Sequence, residues 1–113
     1  MKVAIIGSRN LYVDNFKKYL PPDTTEIVSG GAKGIDTCAE RYAKNHNIPI
    51  KIFLPKYEKY GRSATLKRNI EIIDYADTVL AFWDGKSKGT KFVINKCREK
   101  NKSIRIFINI IHK

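Results

Sequence analysis

The alternation of strand-like and helix-like segments is the feature that most limits how this chain can fold. Short runs rich in β-branched and other apolar residues recur at 2–6, 26–30, 49–55, 78–84 and 103–110. Helix-like patterns separate them, at about 13–20, 35–43, 64–76 and 90–100. Strands that alternate with helices over short connections form parallel sheets with helices on both faces. With right-handed crossovers, this order predicts a small doubly wound α/β fold with a five-stranded parallel sheet.

Each helix-like segment has an apolar stripe at helical spacing, which predicts the side that faces the sheet. The first segment is expected to end at Pro21 and Pro22. The residues predicted to face inward are Val13, Phe16 and Leu20 in the first segment; Ile35, Cys38, Ala39, Tyr42 and Ala43 in the second; Leu66, Ile70 and Ile73 in the third; and Val93, Ile94 and Cys97 in the fourth.

The length of 113 residues, 42% of them hydrophobic, predicts a single domain over 1–113. No apolar run reaches the roughly 18–20 residues that cross a bilayer, so no membrane partner is expected. Cys38 and Cys97 lie in helix-like stretches without metal-ligand spacing, which favours buried, reduced thiols in a cytoplasmic protein. Because the two histidines are isolated as well, we expect no metal site and no cofactor.

The net charge of +11 raises the question of a nucleic-acid partner. Most of the positive charge is lysine, in a chain also rich in isoleucine and asparagine, a composition that AT-rich coding sequence produces without selection for a partner. We see no stretch in which basic and aromatic residues interleave as a base-stacking platform would require. The sequence therefore favours a solvated basic surface over a specific nucleic-acid site.

The glycines indicate where a ligand would bind. In an open parallel sheet, ligands bind beyond the carboxyl ends of the strands where the strand order reverses. If the chain starts mid-sheet, the reversal lies between the first and fourth strands. Three loops that follow strands, GSRN at 7–10, GGAKGID at 30–36 and DGKSKGT at 84–90, contain six of the seven glycines. Gly61 follows the third strand, so every glycine is predicted at one edge.

The loop chemistry suits a phosphate joined to a sugar, because glycines expose N–H groups and each loop precedes a helix N-terminus. Asp36 and Asp84 are candidate acceptors for ribose hydroxyls, and Trp83 is either a base-stacking residue or part of the core. Alternatively, the glycines only shape a turn and Asp36 only stabilises a helix start. Charge and hydroxyls come from Arg9, Lys33, Lys88, Ser8, Ser87 and Thr90.

Four motifs in this order resemble the SLOG superfamily, and in particular its YspA-like (DUF2493) branch: GSR, SGGAKGID, GRSATLKRN and AFWDGKSKGT. The chain is more distantly similar to DprA DNA-processing proteins and to LOG phosphoribohydrolases. The resemblance implies a Rossmann-like fold and a nucleotide-type ligand. It implies a site made of Gly7, Ser8, Arg9, Gly30, Gly31, Lys33, Gly34, Asp36, Arg68, Asn69, Asp84, Ser87, Gly89 and Thr90.

One departure from that family bears on catalysis. LOG enzymes have a PGGxGTxxE loop whose glutamate serves glycosidic cleavage, whereas Phe92 and Val93 occupy this region here. Asp36 or Asp84 could supply the missing carboxylate. The leading expectation is therefore a nucleotide sensor or sequestering protein. The alternatives are a nucleotide N-glycosidase or phosphoribohydrolase, and a single-stranded nucleic-acid binder; a homo-oligomer and a monomer both fit the sequence.

Overall fold

The computed structural model describes residues 1–108, which form one five-stranded, all-parallel sheet with helices on both faces. The strand order is β3-β2-β1-β4-β5, so the chain starts mid-sheet and reverses its direction of growth between β1 and β4. The predicted doubly wound α/β fold is thereby confirmed, and it is Rossmann-like. The strands are β1 (Lys2–Gly7), β2 (Glu26–Ser29), β3 (Ile50–Ile52), β4 (Thr78–Trp83) and β5 (Ser103–Ile108). Positions 109 and 110 of the predicted fifth strand lie outside the described residues.

Helix α1 (Ile35–Asn45) packs on one face of the sheet, and helices α3 (Ala64–Tyr75) and α4 (Lys88–Glu99) pack on the other. A short helix, α2 (Tyr57–Tyr60), and a turn of 3-10 helix (Gly61–Ser63) precede α3, in a stretch that the sequence assigned to neither a strand nor a helix. No helix within residues 1–108 is both long and apolar enough to span a bilayer.

The sheet is buried on both sides, which explains why its central strands are continuously apolar. On the α1 face, the ring of Phe16 packs edge-on against Phe82 and Tyr42, with centroid distances of 5.4 and 5.6 Å. On the α3–α4 face, Ile72 and Val93 belong to a second cluster of buried side chains. The sheet is therefore held by packing on both of its faces.

The predicted helix over 13–20 is wrong: this part of the connection between β1 and β2 contains turns but no helix. Val13 and Phe16 are nevertheless buried, and Leu20 is partly buried, so the apolar spacing serves packing onto the sheet. A local hydrogen bond competes with helix formation, because the Asn15 side-chain oxygen accepts the N–H of Lys17 at 2.9 Å.

The predicted inward stripes of α1 and α4 are confirmed, because all their members are buried. The prediction for α3 is wrong in part. Ile73 is buried and Ile70 is partly buried, but Leu66 is 41% exposed. Both cysteines are free and buried, and burial raises the pKa of the Cys97 thiol to about 11.

Candidate functional site

A pocket of about 450 Å³ opens at the carboxyl ends of β1 and β4, where the strand order reverses. The loops after these strands, the start of α1, one side of α3 and the first half of α4 surround it. Such edges are where open α/β sheets bind ligands. Its lining consists of Ile6, Gly7, Arg9, Asn10, Ala32, Asp36, Thr65, Leu66, Arg68, Asn69, Ile72, Asp84, Ser87, Gly89, Thr90 and Val93.

The pocket brings together nine of the fifteen candidate site residues, from four separate segments of the chain. These nine are Gly7, Arg9, Asp36, Arg68, Asn69, Asp84, Ser87, Gly89 and Thr90. The other six do not line it, namely Ser8, Gly30, Gly31, Lys33, Gly34 and Lys88. The glycine-rich turn at 30–34 therefore contributes mainly by positioning its neighbours.

Gly30 shows how this turn acts. A Cβ atom at this position would lie 2.8 Å from Nη1 of Arg68 and 3.0 Å from Oδ2 of Asp36. Only a residue without a side chain leaves room for these two groups beside the turn. Gly30 also accepts a hydrogen bond from Nη1 of Arg68 through its carbonyl oxygen. The glycine is thus required by the protein's own charged groups.

Gly34 is required by a second close approach. Its φ of 73° lies in the left-handed region, and a Cβ atom there would lie 2.5 Å from the carbonyl oxygen of Arg9. The loop after β1 therefore packs directly against the start of α1. This contact fixes the backbone of Arg9, whose exposed side chain lines the pocket.

Asp36 is a buried carboxylate in the first turn of α1, with 6% of its surface exposed. Burial raises its pKa from 3.8 to about 6, although the Ala32 N–H and the charge of Arg68 lower it. Oδ2 accepts the Ala32 N–H at 3.2 Å. No side chain within residues 1–108 donates a hydrogen bond to this carboxylate, which lines the pocket. It can therefore bind a hydroxyl or act as an acid near neutral pH.

Arg68 is nearly as buried as Asp36, with 7% of its surface exposed. Burial lowers the pKa of its guanidinium, and the charge of Asp36 raises it. Its Nε donates to Oδ1 of Asn69 at 2.8 Å, so the two adjacent residues act as one polar group in the pocket wall. A desolvated cation held in this way interacts more strongly with an anion than an exposed one does.

Asp84 shapes the loop between β4 and α4. Its Oδ1 accepts the N–H groups of Lys86 and Ser87 at 2.8 and 2.7 Å, and these bonds hold the pKa of the carboxyl below its usual range. Its own N–H donates to Oγ of Ser8 at 3.1 Å. The buried Ser8 hydroxyl therefore ties two loops together and does not line the pocket.

The N-terminus of α4 opens onto the pocket. The N–H groups of Lys88, Gly89 and Thr90 have no hydrogen-bond partner among residues 1–108, because the helical bonding pattern starts with Lys91 donating to Ser87. A Cβ atom at Gly89 would meet nothing within 4 Å. A ligand could therefore reach these N–H groups, at the end of the helix that favours negative charge.

Trp83 lies beside the pocket without lining it. Its Nε1 donates to the carbonyl oxygen of Ser87 at 3.0 Å, and its ring packs against the core on the α3–α4 face. Of the two interpretations of this residue, the structure therefore favours the core.

The sequence did not identify Leu66, Thr65 and Asn10 as pocket residues. Leu66 was assigned to the core by its apolar character, yet it belongs to the apolar part of the pocket wall. Only their positions in the sequence could have identified them as pocket residues. Thr65 and Leu66 belong to the GRSATLKRN motif, and Asn10 ends the GSRN loop. Among residues 1–108, no three His, Cys, Asp or Glu side chains lie together as metal ligands would.

The chain is similar to the Gene 61 protein of Mycobacterium phage D29. The two sequences are 33% identical over 79 residues, which cover 65% of this chain and 63% of the phage protein. The chain thus spans less than two thirds of that relative's length. No protein-family model matches the chain, and neither does any solved structure.

Proposed function

We propose that this protein binds a nucleotide or nucleotide-derived ligand, with a phosphate and a ribose, in the pocket between β1 and β4. In this proposal the protein acts as a sensor or a sequestering protein and does not turn the ligand over. The observation that carries the proposal is the open N-terminus of α4. Three N–H groups without partners in the described chain, next to a glycine that faces open space, suit one phosphate group.

The charged side chains divide the pocket into complementary parts. Arg9 lies in the loop after β1, and the N-terminus of α4 follows the loop after β4. Both attract a negatively charged group. Asp36 lies at the start of α1, where its carboxylate can accept hydrogen bonds from hydroxyl groups and disfavours a second phosphate. Arg68 and Asn69 add donors from α3. A ligand with one anionic end and one hydroxyl-bearing part fits this distribution.

The resemblance to the SLOG superfamily supports the same ligand class. It also supports binding without turnover, because Phe92 and Val93 stand in the region where LOG enzymes have their glutamate. Val93 is buried and lines the pocket, so that side of the site is apolar. No carboxylate from α4 reaches the pocket in the part of the chain that the structure describes.

Native mass spectrometry tests this proposal directly. The protein is measured alone and with AMP, ATP, NAD, ADP-ribose and cyclic dinucleotides, and titration calorimetry then gives the affinity for any ligand retained. A nucleotide retained at unchanged mass is expected. Arg9→Glu should weaken its binding, whereas reversal of Arg41, which is exposed on α1 outside the pocket lining, should not. The absence of any nucleotide adduct would contradict the proposal.

A second candidate function is N-glycosidic cleavage of a nucleotide, and Asp36 is the observation that favours it. A buried pocket carboxyl with a pKa of about 6 can hold a proton for a leaving base near neutral pH. Asp84 suits that role less well, because its carboxyl is held ionised by two backbone N–H groups.

The two candidate functions differ in what the bound ligand becomes. A hydrolase would release free base and sugar phosphate from a nucleoside monophosphate, as detected by chromatography. Asp36→Asn should then stop release while the binding of the intact nucleotide remains. Recovery of the unaltered nucleotide after prolonged incubation would contradict hydrolysis and support binding without turnover.

A further inference from the structure

A basic segment of the chain lies largely outside the pocket lining. Between positions 51 and 68, six residues are lysine or arginine and only Glu58 is acidic. The stretch at 56–62 interleaves basic and aromatic residues, contrary to our interpretation of the sequence. These residues and the start of α3 form one surface, which we call the basic-aromatic face. It consists of Lys56, Tyr57, Lys59, Tyr60, Arg62 and Lys67.

Tertiary structure brings two cations of this face together from two helices. The ammonium groups of Lys59, on α2, and Lys67, on α3, lie 5.2 and 5.5 Å from the centroid of the Tyr60 ring. Two cations thus converge on one aromatic ring. Tyr57 is 59% exposed, and all four cations of the face are exposed.

The charge of this face is not neutralised within the molecule. The salt bridges among residues 1–108 join Lys96 to Glu99 and Lys100 to Asp74, and none involves the basic-aromatic face. An exposed tyrosine next to unpaired cations is a combination that a folded protein does not need for its own stability. It therefore points to an external partner that is both anionic and able to stack.

We propose that the basic-aromatic face binds single-stranded nucleic acid. The exposed ring of Tyr57 would stack on a base, and the lysines would contact phosphates on either side of it. Sequence-tolerant binding of single strands uses this combination of aromatic platforms and positive charge. None of the six residues of this face lines the nucleotide pocket, and the proposal does not depend on what the pocket binds.

An acidic peptide is the other anionic partner to consider, and the face suits it less well. Three of the four cations here are lysines, which act as point charges and attract carboxylates and phosphates alike. The aromatic side chain makes the difference, because a peptide backbone with acidic side chains offers no flat partner for Tyr57. Bases and regularly spaced phosphates match both features of the face.

Fluorescence anisotropy with labelled oligo(dT) lacking terminal phosphates tests the proposal at several salt concentrations. The test variant combines Lys56→Glu, Lys59→Glu and Lys67→Glu. The control variant combines Lys17→Glu and Lys18→Glu with a third reversal at an exposed lysine of α1, Lys44. Both variants change the net charge equally, so they separate a localised site from attraction by the charge of the whole molecule. Circular dichroism verifies that both remain folded.

The test variant is expected to bind at least about tenfold more weakly than the control variant at low salt. The slope of its log affinity against log salt should be smaller by about two, as expected for three lost phosphate contacts on a single strand. Tyr57→Ala should weaken binding by about fivefold or more, and Tyr57→Phe should not, because stacking needs the ring and not the hydroxyl.

Three results would overturn the proposal. These are no binding by the wild-type protein at low salt, equal losses in the two charge-reversal variants, and competition by polyglutamate as effective as by unlabelled oligo(dT). The last result would assign the face to an acidic protein partner. Gly89→Val alters only the nucleotide pocket, so its affinity for oligo(dT) should equal that of the wild type. The proposal for the pocket and the proposal for the basic-aromatic face can therefore fail independently.

Discussion

The guanidinium of Arg68, on α3, donates a hydrogen bond to the carbonyl oxygen of Gly30, 38 residues earlier in the chain. This bond connects the glycine-rich turn after β2 to the opposite wall of the pocket. The same glycine leaves the space in which Oδ2 of Asp36 lies. The turn therefore acts on the site by positioning one buried cation and one buried carboxylate.

Gly30→Ala should destabilise the protein, because the added Cβ would lie 2.8 Å from Nη1 of Arg68. Overpacking of this kind costs about 1–3 kcal/mol. Gly89→Ala is the matched control, since its Cβ would meet nothing within 4 Å and alanine favours the helix. It should leave the free energy of unfolding unchanged or raise it by up to about 1 kcal/mol. Urea denaturation measures both, and equal effects of the two substitutions would contradict this account of Gly30.

Gly89→Val should weaken nucleotide binding by about tenfold or more while the fold persists. The side chain would fill the open space in front of the free N–H groups at the start of α4. Asn95→Val is the control, because Asn95 is exposed on the same helix and does not line the pocket. Titration calorimetry with the nucleotide identified by mass spectrometry checks this. Similar affinities for the two variants would show that α4 does not bind the ligand.

Asp36→Asn should stabilise the protein at neutral pH. The folded-state pKa of about 6 lies above the ordinary value of 3.8, so the folded protein binds this proton more tightly than the unfolded chain does. Stability is therefore lost as the pH rises from about 4 to about 6, and the loss amounts to at most about 3 kcal/mol. The asparagine variant lacks this loss.

The measurement for Asp36 is the difference in unfolding free energy between the variant and the wild type, from denaturant titrations at several pH values. This difference should grow between pH 4 and pH 6 and stay constant above that window. Other titrating groups cancel in the comparison because both proteins contain them. A difference that does not change with pH would show that Asp36 is not destabilised by burial.

Asp84→Ala should lower the melting temperature, because the N–H groups of Lys86 and Ser87 would lose their acceptor at the entry to α4. Asp84→Asn keeps an acceptor oxygen at this position and should lower the melting temperature less than Asp84→Ala does. Since the folded-state pKa of Asp84 is lowered, its stabilisation is present above the ordinary pKa and disappears as the pH falls below it. Thermal denaturation followed by circular dichroism tests this order of the variants.

The sequence alone was sufficient for the number of strands and for helices whose apolar stripe is complete, although β3, predicted over 49–55, spans only Ile50–Ile52. The stripes of α1 and α4 were predicted correctly because helical spacing and burial coincide in them. The segment at 13–20 has similar spacing, yet Phe16 is buried by edge-on contacts with aromatic rings of the core while the backbone remains irregular. Spacing of apolar residues is thus necessary for an amphipathic helix but not sufficient.

Leu66 shows a second limit of the pattern. Its spacing places it with Ile70 and Ile73, but it is 41% exposed because a pocket lies beside α3 at this point. Arg68, a charged residue, is buried in its place, where a carbonyl oxygen of a distant turn accepts its hydrogen bond. Polarity alone does not predict such a residue's burial, because its partner comes from another segment.

For this protein, the sequence by itself determined the five strands, three of the helices between them, the all-parallel sheet and the edge at which the glycines gather. These properties follow from local spacing and from the handedness of short crossovers. Only the tertiary structure decided which glycines face open space and which accommodate the protein's own atoms, as Gly89 and Gly30 do. That difference depends on what packs against each backbone from elsewhere in the chain, and a local sequence pattern contains no record of it.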